Sequence, residues 1–226
     1  MVEIGEIMRQ LESKSNPEAL PGMKSFGINV DHAYGVSIPN LRKLARDIGT
    51  NHYMAQRLWA TRVHEARILA AMIDDPSEVT STQMNRWVRG FDSWDLCDQC
   101  CSNLFDKTRF AYQKAFAWSR RREEYVKRAG FTLMACLAVH DKEASDERFE
   151  KFLECVMREA YDNRNYVRKA VNWALRQIGK RNKRLNGLAI RKARKIHDMD
   201  SRSAKWIASD ALRELTSSEV TKKLRK

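Results

Sequence analysis

"NYVRKAVNWALRQI", residues 165–178, decides how the chain is read. Val167, Ala170, Val171, Ala174, Leu175 and Ile178 recur at three- and four-residue steps, so at about 100° per residue they form one apolar face of a helix. Trp173 is off that face, roughly 130° from its centre, beside Lys169, Arg176 and Lys180. An indole among three cations is not ordinary core packing. The plain alternative is that a neighbouring helix covers it, because tryptophans are usually well buried.

The same pattern returns along the chain. "RVHEARILAAMI" (62–73) and "YVKRAGFTLMACLAV" (125–139) each set an arginine just ahead of an apolar run, as 165–178 does. Four prolines and nine glycines leave few interruptions, and alternating strand-like runs are missing. The pattern predicts helices at roughly 2–14, 18–30, 38–48, 51–60, 62–73, 80–89, 92–106, 108–118, 122–140, 146–161, 164–179, 183–196 and 201–216. Connectors as short as "DDPSEVTST" and "HDKEASDE" make neighbours antiparallel. The expected fold is all-α: an α-solenoid superhelix of HEAT-like antiparallel helix pairs with a basic concave surface, an irregular helical bundle being the alternative. One domain is expected over 1–226, with 217–226 a frayed basic tail.

Composition narrows the function classes. Lys+Arg number 42 and Asp+Glu 29, a net charge of +13, and the pI is about 9.7. That balance points to a polyanionic partner, nucleic acid first, although excess lysine alone is common in proteins with no such partner. The start, "MVEIGEIMRQLESKSNPEAL", has acids within six residues and no apolar core, so neither a signal nor a transit peptide is expected there. No apolar run approaches membrane-spanning length, and a cytoplasmic protein without a membrane partner is expected. Cys97, Cys100, Cys101, Cys136 and Cys155 are odd in number, which suits buried reduced thiols better than disulfides.

Two further helices carry residues off their core faces. In "FDSWDLCDQCC" (91–101), Leu96, Cys97, Cys100 and Leu104 make the core face, while Trp94, Asp98 and Phe105 line its edge. In 122–140, Val126, Leu133, Met134 and Leu137 face inward and Arg128 points away, with Thr132 and Ala135 beneath it leaving room for an approaching group. Arg128 is read equally well as the partner of a carboxylate on an adjacent helix. A zinc site from Cys97, Cys100, Cys101 or Cys136 with His140 lacks a second ligand pair, and no Gly-rich phosphate loop, HExxH or GxSxG occurs. No metal and no cofactor is expected. If the three helices are the second members of their pairs, their edges bring Trp94, Asp98, Arg128 and Trp173 to one surface.

These residues resemble the AlkD family of alkylpurine DNA glycosylases, HEAT-like repeat proteins that remove positively charged alkylated bases. The family's W-D-x-x-D is similar to "SWDLCD", its inner-helix arginine to that in "YVKRAGF", and its second tryptophan to that in "VRKAVNWALRQIG", in the same order, from about "YGVSIPNLRKLARDIG" to residue 180. The resemblance implies Asp98, Trp94 and Trp173 as catalytic residues. It implies Arg128 and Arg176 as DNA contacts, with Lys169 and Lys180 among the cations that add backbone affinity. Phe26 stands where the family carries a tyrosine facing the site. The implied activity is that of a monofunctional glycosylase releasing N3- or N7-alkylated purines from double-stranded DNA in base excision repair, as a monomer without cofactors. Two other readings share the charge and fold: a non-catalytic HEAT-like module for damaged or branched DNA, and a protein-interaction scaffold.

Overall fold

A computed structural model describes residues 3–224, which contain fourteen α-helices, two 3-10 turns and no strand. No helix among them is long and apolar enough to cross a membrane. The chain gathers into two compact units, Met1–Arg109 and Phe110–Lys226.

The first unit runs α1 (Ile4–Glu12), a 3-10 turn (Pro17–Ala19), α2 (Leu20–Ser25), α3 (Ile38–Ile48), α4 (His52–Ala60), α5 (His64–Ile73), α6 (Ser81–Arg89), α7 (Trp94–Asn103) and a second 3-10 turn (Phe105–Lys107). Helix α5 is its axis, packing on α1, α3, α4 and α7. Nine of its ten residues are buried, so it has no solvent face. A helix enclosed on all sides must pair whatever polar groups it carries. Beside it Trp59 stacks on Trp87 with centroids 4.1 Å apart, and Phe91 and Phe105 close the cluster.

The second unit runs α8 (Ala111–Trp118), α9 (Glu124–His140), α10 (Asp146–Glu159), α11 (Asn165–Gly179), α12 (Lys183–His197), α13 (Arg202–Leu215) and α14 (Ser218–Lys223). Helix α9 packs on α8 and α11, and α11 in turn on α10, α12 and α13. The apolar face read from 165–178 is all core: Val167, Ala170, Val171, Ala174, Leu175 and Ile178 are fully buried. Side-chain caps start several helices, Asn51 accepting from the Met54 amide at 2.9 Å and Asn182 from Leu185 at 2.9 Å.

Four readings need adjustment. The expected helix at 18–30 ends at Ser25, because Phe26 leaves helical geometry and Gly27 takes a φ of 77°. The helix at 92–106 stops at Asn103, since Leu104 leaves helical geometry at φ −130°. Phe105 therefore loses the register that put it on the edge with Trp94 and Asp98; it is fully buried in the aromatic cluster. Within 217–226, Ser217 caps α14 by accepting from the Val220 amide and Val220 is buried, so residues 218–223 are helical rather than frayed.

Gly130 sets the spacing of α8 and α9. A Cβ there would lie 2.4 Å from the Ser119 backbone nitrogen and 2.9 Å from its Cα, neither of which is a flexible side-chain end. In an open helix Gly→Ala stabilises by roughly 0.5–1 kcal/mol; Gly130→Ala should instead destabilise by about 1–3 kcal/mol through overpacking. Urea denaturation measures the sign, and a midpoint at or above wild type would show that α8 yields.

Candidate functional site

The N-terminal end of α7 carries Trp94 and Asp98, one turn apart and both half-buried. Four contacts fix this end. Ser93 donates its hydroxyl to Asp95 Oδ1 at 2.7 Å, and His64 Nε2, from α5, meets Asp95 Oδ2 at 2.8 Å. One turn along α5, Arg67 donates to the Gly90 carbonyl at 2.9 Å and to Asp92 at 2.8 Å, just before α7 begins. Two polar side chains of the enclosed helix thus find their partners at the start of the helix that presents Trp94 and Asp98.

Trp94 is also tied to the N-terminal segment. Its indole Nε1 donates to the Phe26 carbonyl at 2.9 Å, which orients the ring and holds the end of α2 against α7. The Phe26 ring itself is 73% exposed. So the position where the family carries a tyrosine presents a phenylalanine to solvent, and its main chain anchors the tryptophan.

In the second unit Arg128 is only 5% exposed, and its Nη1 donates to the Tyr166 carbonyl at 2.7 Å, in the first turn of α11. Thr132 and Ala135 are fully buried, so the open space expected beneath Arg128 is filled. The Arg128 contact ties α9 to the helix of Lys169 and Trp173. Lys169 is exposed and Trp173 half-buried, and no carboxylate lies within ion-pair distance of Lys169 among the described residues. Arg176 and Lys180 differ: both pair with Glu214 on α13, Lys180 at 2.6 Å. Glu214 thereby neutralises part of the charge that the sequence places beside Trp173.

All five cysteines are buried, and none forms a disulfide. Burial, with a smaller contribution from Cys97, pushes the Cys100 thiol well above its ordinary pKa. Among the described residues no group of three or more His, Cys, Asp or Glu is placed to hold a metal.

Successive helices packed on one another within each unit are the make-up of a HEAT-like repeat protein. A solved structure described as "a new family of proteins related to the HEAT-like repeat DNA glycosylases with affinity for branched DNA structures" superposes with a TM-score of 0.79, covering 95% of this chain and 96% of that one at 20% identity. A designed armadillo repeat protein at 14% identity covers 95% of this chain and 100% of its own, with a TM-score of only 0.38. No curated protein matches the sequence. The chain belongs to the DNA alkylation repair enzyme family, which it matches over residues 7–215.

The contacts that hold α7 escaped sequence reasoning. His64 and Asp95 are thirty-one residues apart, and Trp94 and Phe26 sixty-eight. Nothing local marks them as partners; the one available signal was a histidine, an acid and an arginine inside an otherwise apolar helix.

The His64–Asp95 pair has a defined pH window. Burial pulls the His64 pKa down, but the hydrogen bond to Asp95 and the charges of Asp95 and Glu65 outweigh it, and the net shift is upward from 6.5. Burial pushes Asp95 up, yet hydrogen bonds from His64, Ser93 and the Leu96 amide leave it below 3.8. A raised histidine stabilises fully below its unfolded pKa and loses that contribution as pH climbs through the folded value. A depressed carboxylate stabilises above its unfolded pKa and loses it as pH falls through the folded one. The contribution should therefore be fullest between about pH 4 and 6.5. Thermal melts of wild type and His64→Gln should differ most in that window and converge at higher pH; a gap that stays constant to pH 9 would remove the ion pair from α7's support.

Proposed function

We propose that the protein is a monofunctional glycosylase that excises cationic N3- or N7-alkylated purines from double-stranded DNA. The observation that carries the reading is the Trp94/Asp98 edge of α7, held by α5 and by the Phe26 carbonyl, in a chain of the DNA alkylation repair enzyme family.

The chemistry accounts for the residue types. Alkylation at N3 or N7 makes the purine positively charged and a good leaving group, so the protein need not protonate it. As the glycosidic bond breaks, positive charge builds on the deoxyribose. A carboxylate held nearby stabilises that charge and orients the attacking water, and this is the role assigned to Asp98. The faces of Trp94 and Trp173 favour a cationic sugar through the ring quadrupole. In the same reading Arg128, Arg176, Lys169 and Lys180 serve the DNA backbone, Lys169 most directly because it is exposed and no carboxylate lies within ion-pair distance of it among the described residues. Selectivity rests on the lesion's own charge and lability, and bulky cationic adducts fit as well as methyl groups.

A second reading, non-catalytic binding of damaged or branched DNA, is favoured by the fold shared with the protein described as having affinity for branched DNA. One assay separates the two. Mass spectrometry of bases released from methylated DNA should detect N3-methyladenine or N7-methylguanine with wild type. Asp98→Asn should lower the release rate by about 100-fold or more, the scale of losing a charge-stabilising group, while duplex affinity stays within about threefold. Tight binding without release from any alkylated substrate selects the second reading; release unchanged in the variant removes Asp98 from the chemistry.

Both readings predict salt-sensitive binding. With roughly six phosphate contacts, duplex affinity should fall about a thousandfold between about 50 and 200 mM salt. Fluorescence anisotropy reads it, and a flat salt profile would favour a protein partner instead.

A further inference from the structure

The inner helices of the second unit share a register that ends in a substitution of chemistry. "YVKRAG" (125–130) and "YVRKAV" (166–171) align residue for residue, which places Lys169 where Arg128 stands. "WALRQI" (173–178) and "DALREL" (210–215) align in the same way, four residues further on in each helix, and place Trp206 where Lys169 stands. The first two repeats put a cation at this position. The third puts an indole there, and it is 38% exposed.

The surroundings are those of a ring kept available. The Arg168 guanidinium lies over the Trp206 ring, 5.0 Å from its centroid, with its Nε buried and unbonded. Its remaining side-chain hydrogen bond goes to Asn165, at 3.2 Å, and no carboxylate is within ion-pair distance of Arg168, Arg202 or Lys205 among the described residues. An open depression beside this pair is lined by Tyr161, Asn163, Arg168, Asp200, Ser201 and Arg202, and the Tyr161 ring is 53% exposed. Asp200 is its single acid.

The loop that carries Tyr161 is tied to its neighbours. Asp162 pairs with Lys127 at 3.1 Å and with Arg164 at 2.6 Å. Ser203, at the start of α13, donates its hydroxyl to the Asp162 carbonyl at 2.8 Å, so the loop and the helix bearing Arg202 and Trp206 are tied directly. Two exposed aromatic rings and three cations without acidic partners among the described residues thus stand on a loop and a helix that are tied together.

We propose that Tyr161, Arg168 and Trp206, with Arg202 and Lys205, form a platform for an unpaired nucleotide of DNA. A cation suffices to meet a phosphate, and an indole adds nothing to that contact. It adds binding when a base face is free to lie on it, which base pairing and stacking prevent inside an intact duplex. The cations supply the charge complementarity that a purely apolar partner would not require. The platform goes beyond base excision and needs no chemistry from Asp98.

The test compares two labelled DNAs, a dT oligonucleotide and a blunt duplex, by fluorescence anisotropy with the full chain. Trp206→Ala should weaken dT binding by about 5- to 100-fold, the range for losing one stacked base, and leave blunt-duplex binding within about twofold. Trp206→Phe should keep most of the dT affinity. Tyr161→Ala, on an exposed loop, should weaken dT binding in the same direction and keeps the test decisive if Trp206→Ala melts early. Wild-type affinity for dT in both alanine variants overturns the platform, as does an equal loss on dT and duplex. Duplex binding without base release would overturn the glycosylase reading and leave the platform standing.

Discussion

A buried carboxylate organises the first half of the molecule. Glu65, 1% exposed, accepts the Gly35 and Val36 amides on Oε1 at 2.7 and 3.2 Å and the Tyr34 amide on Oε2 at 2.9 Å. Hydrogen bonds to a charged acceptor each contribute about 1.5–3 kcal/mol, and a buried carboxylate is tolerated only when its lone pairs are filled in this way. The geometry is exacting: Gly35 sits at φ 76°, and a Cβ there would lie 2.2 Å from the Asn16 carbonyl oxygen. The N-terminal segment is held on α5 at this point, and its earlier part, through the Phe26 carbonyl, reaches Trp94. Because His64 and Arg67 leave the same helix for the start of α7, α5 governs both sides of the Trp94 environment.

The legible part of the fold was the part written in local periodicity. Val167 to Ile178 and the run after Arg128 are core because their spacing made them so, and the off-face position of Trp173 survives as partial exposure. What sequence reading missed depends on contacts between distant residues. The N-terminal segment turns at Gly27 and is held at Gly35 by Glu65, thirty residues further on, and Phe105 changed faces because one residue, Leu104, left helical geometry. Arg128 was read as pointing outward, and it does leave the apolar stripe of its own helix. A single-helix wheel does not include the neighbour whose Tyr166 carbonyl receives it.

The candidate site divides the same way. Residue types at helical spacing identified Trp94 and Asp98 as a pair, and periodicity alone was enough for that. Which cations remain available was not legible. Glu214 approaches Arg176 and Lys180 from α13, whereas Lys169, on the same helix, has no such neighbour at ion-pair distance among the described residues. Formal charge overstates what a surface offers to phosphate when acids on the next helix have already been matched to it.

The sulfur chemistry of the chain has a bearing on the agents that create alkylated bases. Methylating electrophiles attack the most nucleophilic atom they can reach, and in proteins that atom is an exposed thiolate. Every cysteine of this chain is enclosed, and the low-polarity setting of Cys100 disfavours its anion further. Folded, the molecule offers no accessible sulfhydryl to such a reagent.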